Sequence, residues 1–265
     1  MELDALVLSE GDRVVASGRL VRNQDGDWFE PPPEWVALSG VRPTVRPPWR
    51  GSVRVTGADF DALAHRFEHA GEIEGMVALH GVWSGESVHV EHQGPPVSKR
   101  RVFESWVTPP CSAPRGGWPE VVRRGDITFD YELGDLEETG QVVAQTIFRP
   151  AENRPVLVVA AADVEAVEAI LRPQLGDSLC VVRSRWTKDQ IEAVRADLEE
   201  NWDRWSLREM GPRHLNDGQV RLRGSLTRIL PEIAEWAAPL PEGILALVPW
   251  LSPSERPAIS EAGSP

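Results

Sequence analysis

The stretch Trp106-Val-Thr-Pro-Pro-Cys-Ser-Ala-Pro-Arg-Gly-Gly-Trp-Pro119 constrains this chain more than any other. Its four prolines and two glycines break helices and ladders alike, and no apolar period runs through it. No regular element can therefore cross the middle of the 265 residues, and two halves result. The length agrees, since roughly 100–200 residues make a domain. The chain divides into a first domain over 1–105, a connector over 106–125, a second domain over 126–251 and a Pro-, Ser- and Glu-rich flexible tail over 252–265.

The first half carries strand period. Over Asp12–Arg22, Val14, Ala16, Gly18 and Leu20 alternate with Arg13, Val15, Ser17 and Arg19. Asn23–Asp27 holds an Asp-Gly hairpin signal. A second extended segment runs from Trp28-Phe29 to Trp35–Leu38, broken by Pro31, Pro32 and Pro33, which cannot donate to a ladder. Ser52–Thr56 is a third strand. Asp59–Ala70, with Phe60, Leu63 and Phe67 at helical spacing, predicts a short helix. Gly75–Val82 and Ser87–His92 close the half as a hairpin turned at Ser84-Gly85-Glu86.

That order of three strands, a helix and two strands resembles the OB-fold, a five-stranded Greek-key barrel with a helix between its third and fourth strands. The resemblance covers about residues 10–95, is topological, and rests most on Val77–Glu91 as the closing pair of strands. It implies a binding surface on strands 2 and 3. Single-strand recognition there needs aromatic platforms and cations, which Trp28, Phe29, Trp35, Arg54, Arg19, Arg22 and Arg50 supply, although Asp25, Asp27, Glu30 and Glu34 lie among them. Trp49, after two prolines, is a candidate exposed anchor.

The second half reads as α+β. Pro155–Ala160 is a continuous apolar run, as in a strand buried on both faces. Helices follow at Asp163–Leu171, at Thr187 to about Trp205 and at Pro231–Ala238. Thr187 and Gln190 make a capping box. Strands are predicted at Ile127–Leu133, Gln141–Phe148, Leu179–Trp186, Leu207–Met210, Val220–Arg228 and Ile244–Leu251, with a turn at Asn216-Asp217-Gly218. No internal repeat is visible. The expected fold class is α+β and multi-domain: an N-terminal five-stranded OB-like β-barrel with one helix, and a C-terminal mixed-sheet α/β sandwich domain.

The net charge of −13 argues against a surface wholly devoted to nucleic acid. The charge is uneven. Residues 126–182 carry 11 acids against 3 bases, and residues 183–228 carry 8 acids against 10 bases. Arg183 and Arg185 alternate on one predicted strand, and Arg221 and Arg223 on another. As neighbours these strands would make a four-arginine face for an anion or acidic partner, unless the acids of 130–138 neutralise it.

Chemistry is sparse. His65-Arg66-Phe67-Glu68-His69 has the H-x-x-E-H spacing of inverzincins, but on one short element of a small barrel it reads as surface histidines. No nucleophile elbow, Walker loop or dinucleotide fingerprint occurs. Cys111 and Cys180, 69 positions apart, exclude a CxxC zinc site and a disulfide framework, and Cys180 reads as a buried, inert thiol. No metal and no cofactor is implied, and no apolar run is long enough to span a bilayer. With an acidic start that is no signal peptide, this predicts a cytoplasmic protein without membrane contact. The expected function is that of a non-enzymatic binding or adaptor protein, inhibitor- or immunity-like, whose acidic surface meets a protein partner. The alternatives are single-stranded nucleic-acid binding by the barrel and an unrecognised enzyme. The candidate binding residues are Trp28, Phe29, Trp35, Trp49, Arg54, Arg183, Arg185, Arg221 and Arg223.

Overall fold

A computed structural model describes residues 3–32, 51–63, 65–96, 108–120 and 132–254. The first half is a closed, mixed five-stranded barrel. Strand β1 (Arg13–Asn23) alternates as its sequence demands, with Val14, Ala16 and Leu20 inward. A turn with Gly26 at φ 125° returns the chain as β2 (Gly26–Glu30). Then come β3 (Val53–Thr56), a three-residue strand β4 (Phe67–His69), β5 (Glu72–Trp83) and β6 (Ser87–Gly94). Around the barrel the order is β1-β2-β3-β6-β5, closed by β1 against β5, with β3 and β6 parallel. That is consistent with an OB-like topology.

The helix predicted over Asp59–Ala70 is not formed. Phe60 and Leu63 reach the barrel core from a turn, and the chain then turns outward into β4, where Phe67 is 43% exposed. His65 and His69 consequently do not share a helical turn, which removes the geometry of the H-x-x-E-H motif.

The second half contains a repeat of form that its sequence does not show. Helix α1 (Glu132–Glu138) precedes the antiparallel pair β7 (Val142–Phe148) and β8 (Val156–Ala161); helix α2 (Val164–Leu175) then leads to β9 (Leu179–Arg183), parallel to β8. Helix α3 (Lys188–Glu200), the antiparallel pair β10 (Leu207–His214) and β11 (Val220–Leu226), helix α4 (Pro231–Ala237) and the parallel β12 (Leu245–Pro249) repeat the plan. Each unit is a three-stranded sheet whose two helices cover one face. Of the strand expected over 127–133, only Glu132 and Leu133 are described, and they begin α1. Charged and glycine positions in Glu132–Glu138 leave only Leu133 and Leu136 to bury, three apart, as a helix requires. Thr187 and Gln190 form the reciprocal capping box their spacing predicts.

The two sheets differ on the face away from their helices. In the first unit, Val156, Val158 and Cys180 meet Trp118 of segment 108–120, which lies over them as a strap. Cys111 of the strap is disulfide-bonded to Cys180, with Cα atoms 5.8 Å apart. The expectation that Cys180 is a buried, inert thiol is therefore corrected: sequence separation sets only the loop that closes, not whether the fold brings the ends together.

The chain ends cross between the halves. Leu3, Leu6 and Val7 pack on the core of the second repeat unit, and Val7 bridges Ile229. At the other end Leu251 lies in the barrel core, Pro253 bridges Val14, and the Ser254 N–H donates to Arg13 O at 2.7 Å. Among the described residues no helix is long and apolar enough to cross a membrane.

Candidate binding face

The arginines of the second half do not gather as their alternation suggested, because β9 and β11 belong to different sheets. Arg183 lies 3.6 Å from Glu165 and donates to Ala162 O. Arg185 pairs with Asp217 at 2.7 Å. Among the described residues neither pairs with an acid of segment 130–138, of which Glu137 accepts instead from Gln145 and, through its carbonyl, from Lys188.

Arg221 and Arg223 do share a face, and a third arginine joins them. Residues 215–219 form a short turn with Gly218 at φ 78°, which fixes the register of the hairpin. His214 then pairs with Val220, Arg213 with Arg221, and Gly211 with Arg223. Arg213 was missed because Gly211 and Pro212 read as the end of a strand. Counting back from Asn216-Asp217-Gly218 is the signal that finds it.

Like charges directly opposite across a ladder repel. Arg213 has no carboxylate partner among the described residues, and Arg221 buries its Nε without a hydrogen-bond partner. Asp217 is held by Arg185, and Glu209 pairs with Arg223 at 4.0 Å. Arg223 stands opposite a glycine, which leaves the guanidinium room. Behind this face His214 is half-buried, and burial, then the charge of Arg213, push its imidazole below the ordinary value. In register with β8 and β9, Val156, Val158 and Cys180 of the strapped sheet correspond to Arg221, Arg223 and Ala246 here. The same plan thus carries apolar residues where a strap covers the sheet and arginines on its counterpart, where Arg213 is exposed and the Arg223 side chain is 41% exposed.

The barrel candidates fare differently. Trp28 and Arg54 are paired across β2 and β3, with the guanidinium 4.5 Å over the ring. One face of that ring is thereby covered, and its Nε1 is buried without a partner. Phe29 is 1% exposed in the barrel core and offers no platform, which corrects its place among the candidates. β-Strand alternation puts Phe29 inward once Trp28 faces out. Arg19 is bound by Glu30 and Glu74, and Arg22 by Asp27. Trp35, Trp49 and Arg50 lie outside the described residues. No group of three or more metal-ligating side chains occurs among the described residues. Comparison of the chain with protein families, with curated proteins and with solved structures finds no match.

Proposed function

We propose that this is a non-enzymatic binding protein that engages a protein partner through the arginine-bearing face of β10 and β11, taking carboxylate side chains of that partner between its arginines. The observation that carries the reading is the opposed pair Arg213 and Arg221, which no acid of the described residues neutralises. A carboxylate between two guanidiniums would turn a repulsive contact into charge-assisted, bidentate hydrogen bonds. The protein as a whole, at −13, repels extended polyanions, so the face suits a local acidic segment better than a nucleic-acid backbone. The committed Arg19 and Arg22 weaken the single-strand reading of the barrel in the same way.

Polarisation of a fluorescein-labelled oligoglutamate peptide tests this. Binding should weaken with salt, and Arg213→Ala with Arg221→Ala should lower affinity by about tenfold or more, as loss of hydrogen bonds to a charged group implies. Equal binding by the double variant overturns the site. Tighter binding of labelled single-stranded DNA than of the peptide overturns the partner class.

A further inference from the structure

We infer that the Cys111–Cys180 disulfide controls this arginine face, so that exchange with a dithiol reductant weakens its hold on an acidic partner. The inference rests on the binding reading above and concerns how that face is held.

The hairpin that carries the arginines stands on a platform made of two parts. Gly218, at its tip, has φ 78°, and the position its Cβ would take lies 3.0 Å from Val158 Cγ1, 3.0 Å from Val182 Cγ2 and 3.1 Å from Pro110 Cγ. Val158 and Val182 belong to the first sheet. Pro110 belongs to the strap. Val158 is the register partner of Cys180, and Pro110 precedes Cys111. The covalent bond that joins the two parts of the platform is therefore the disulfide beneath the tip. Gln219 fastens the tip from the side: its Oε1 accepts from the Arg185 N–H at 2.8 Å, and its Nε2 donates to Arg183 O at 2.9 Å. Arg213 and Arg221 are the second residue pair from this tip, after His214 and Val220. Whatever loosens the tip disorders the guanidiniums, and their ordering must then be supplied at binding.

The two sulfurs differ in access. Cys180 is fully buried, while Cys111 is half-buried on the strap. A thiolate of the dithiol attacks Cys111 Sγ, the S–S bond breaks, and the electron pair leaves on Cys180 Sγ, which takes up a proton. The second thiol of the reductant attacks the mixed disulfide and releases Cys111 as a thiol. The protein gains two electrons and two protons, and the reductant becomes a disulfide.

The test compares the oxidised protein with protein reduced by dithiothreitol and alkylated, by oligoglutamate polarisation and by hydrogen exchange over 213–221. With far-UV circular dichroism unchanged, reduction should weaken the peptide by about fivefold or more and speed exchange at the tip, within the range of ordinary coupling between sites. Equal affinity and equal exchange in both forms overturn the inference and leave the binding reading intact. Failure of the oxidised protein to bind overturns the binding reading and, with it, control of binding by the disulfide. Pro110→Ala, which keeps the disulfide and removes the strap contact, guards against a reduced form that unfolds. It should weaken the peptide in the same direction, and unchanged affinity and exchange in that variant also overturn the inference.

Discussion

Trp250 lies against Gly18 so closely that a Cβ on Gly18 would sit 2.8 Å from its Cζ2. The same Cβ would meet the Glu30 carbonyl at 2.3 Å and Phe29 Cε2 at 2.8 Å. Trp250 comes from the end of β12, packs on Phe29 with ring centroids 4.7 Å apart, and donates its indole N–H to Ser17 O at 2.9 Å. Gly18 thus permits the segment after β12 to seal the barrel wall. Gly18→Ala should cost about 1–3 kcal/mol by overpacking against backbone that cannot swing aside. Urea denaturation followed by circular dichroism reads it, and a midpoint equal to that of the parent would refute the contact.

The Arg19 guanidinium spans two carboxylates, and one of them, Glu30, is almost wholly buried. Ser52 donates to the other oxygen of Glu30 at 3.2 Å. Glu30→Ala leaves Arg19 with Glu74 alone and a mostly buried charge half-compensated. The expected loss is about 3 kcal/mol, the lower end for breaking a buried pair. Arg19→Met together with Glu30→Leu should recover part of it, because an apolar pair removes both desolvation costs. A Glu30→Ala protein as stable as the parent would show that the network is loosely held.

The disulfide closes a loop of 69 residues in sequence separation. Its constraint on the unfolded chain is worth about 4 kcal/mol in the chain-entropy account. Reduction should lower the urea midpoint accordingly. Thiol titration in denaturant without reductant should find none free, and two free thiols per chain would contradict the bond.

His214 gives a pH dependence with a defined sign. Its folded pKa is depressed, by burial first and Arg213 second. The unfolded chain therefore takes up the proton first, near the ordinary value of about 6.5. The stability this residue contributes is whole above that pH and is lost as pH falls through the depressed folded value. His214→Gln should flatten the fall in urea midpoint between about pH 7 and pH 5. An unchanged slope would remove His214 as its source. Because Arg213 is one of the causes, an acidic peptide on that arginine should raise the His214 titration, which proton NMR reads directly.

Local patterns were legible wherever one segment carried its own information. Alternation marked β1, the apolar run marked β8, and Thr187 with Gln190 marked the start of α3. The barrel strands were legible too, and their closed five-stranded arrangement is consistent with the OB-like order expected of them. The helix over Asp59–Ala70 failed for a tertiary reason. Phe60 and Leu63 find their burial in the barrel end from a turn, and Phe67 is left outside. Of the candidate site, Arg221 and Arg223 were visible as an alternating pair, but Arg213 was hidden behind Gly211 and Pro212.

The chain by itself determined which residues alternate, where elements begin and which turns bend it, since those follow from side-chain period, caps and backbone conformation within a few residues. Only the tertiary structure decided that Cys111 reaches Cys180, that Trp250 and Leu251 complete the barrel, and that no acid of the described residues reaches the Arg213–Arg221 pair. The first two of those join segments 69 and 233 residues apart in sequence. Their free energy depends on how all the remaining surfaces pack, and no local stretch of sequence carries it.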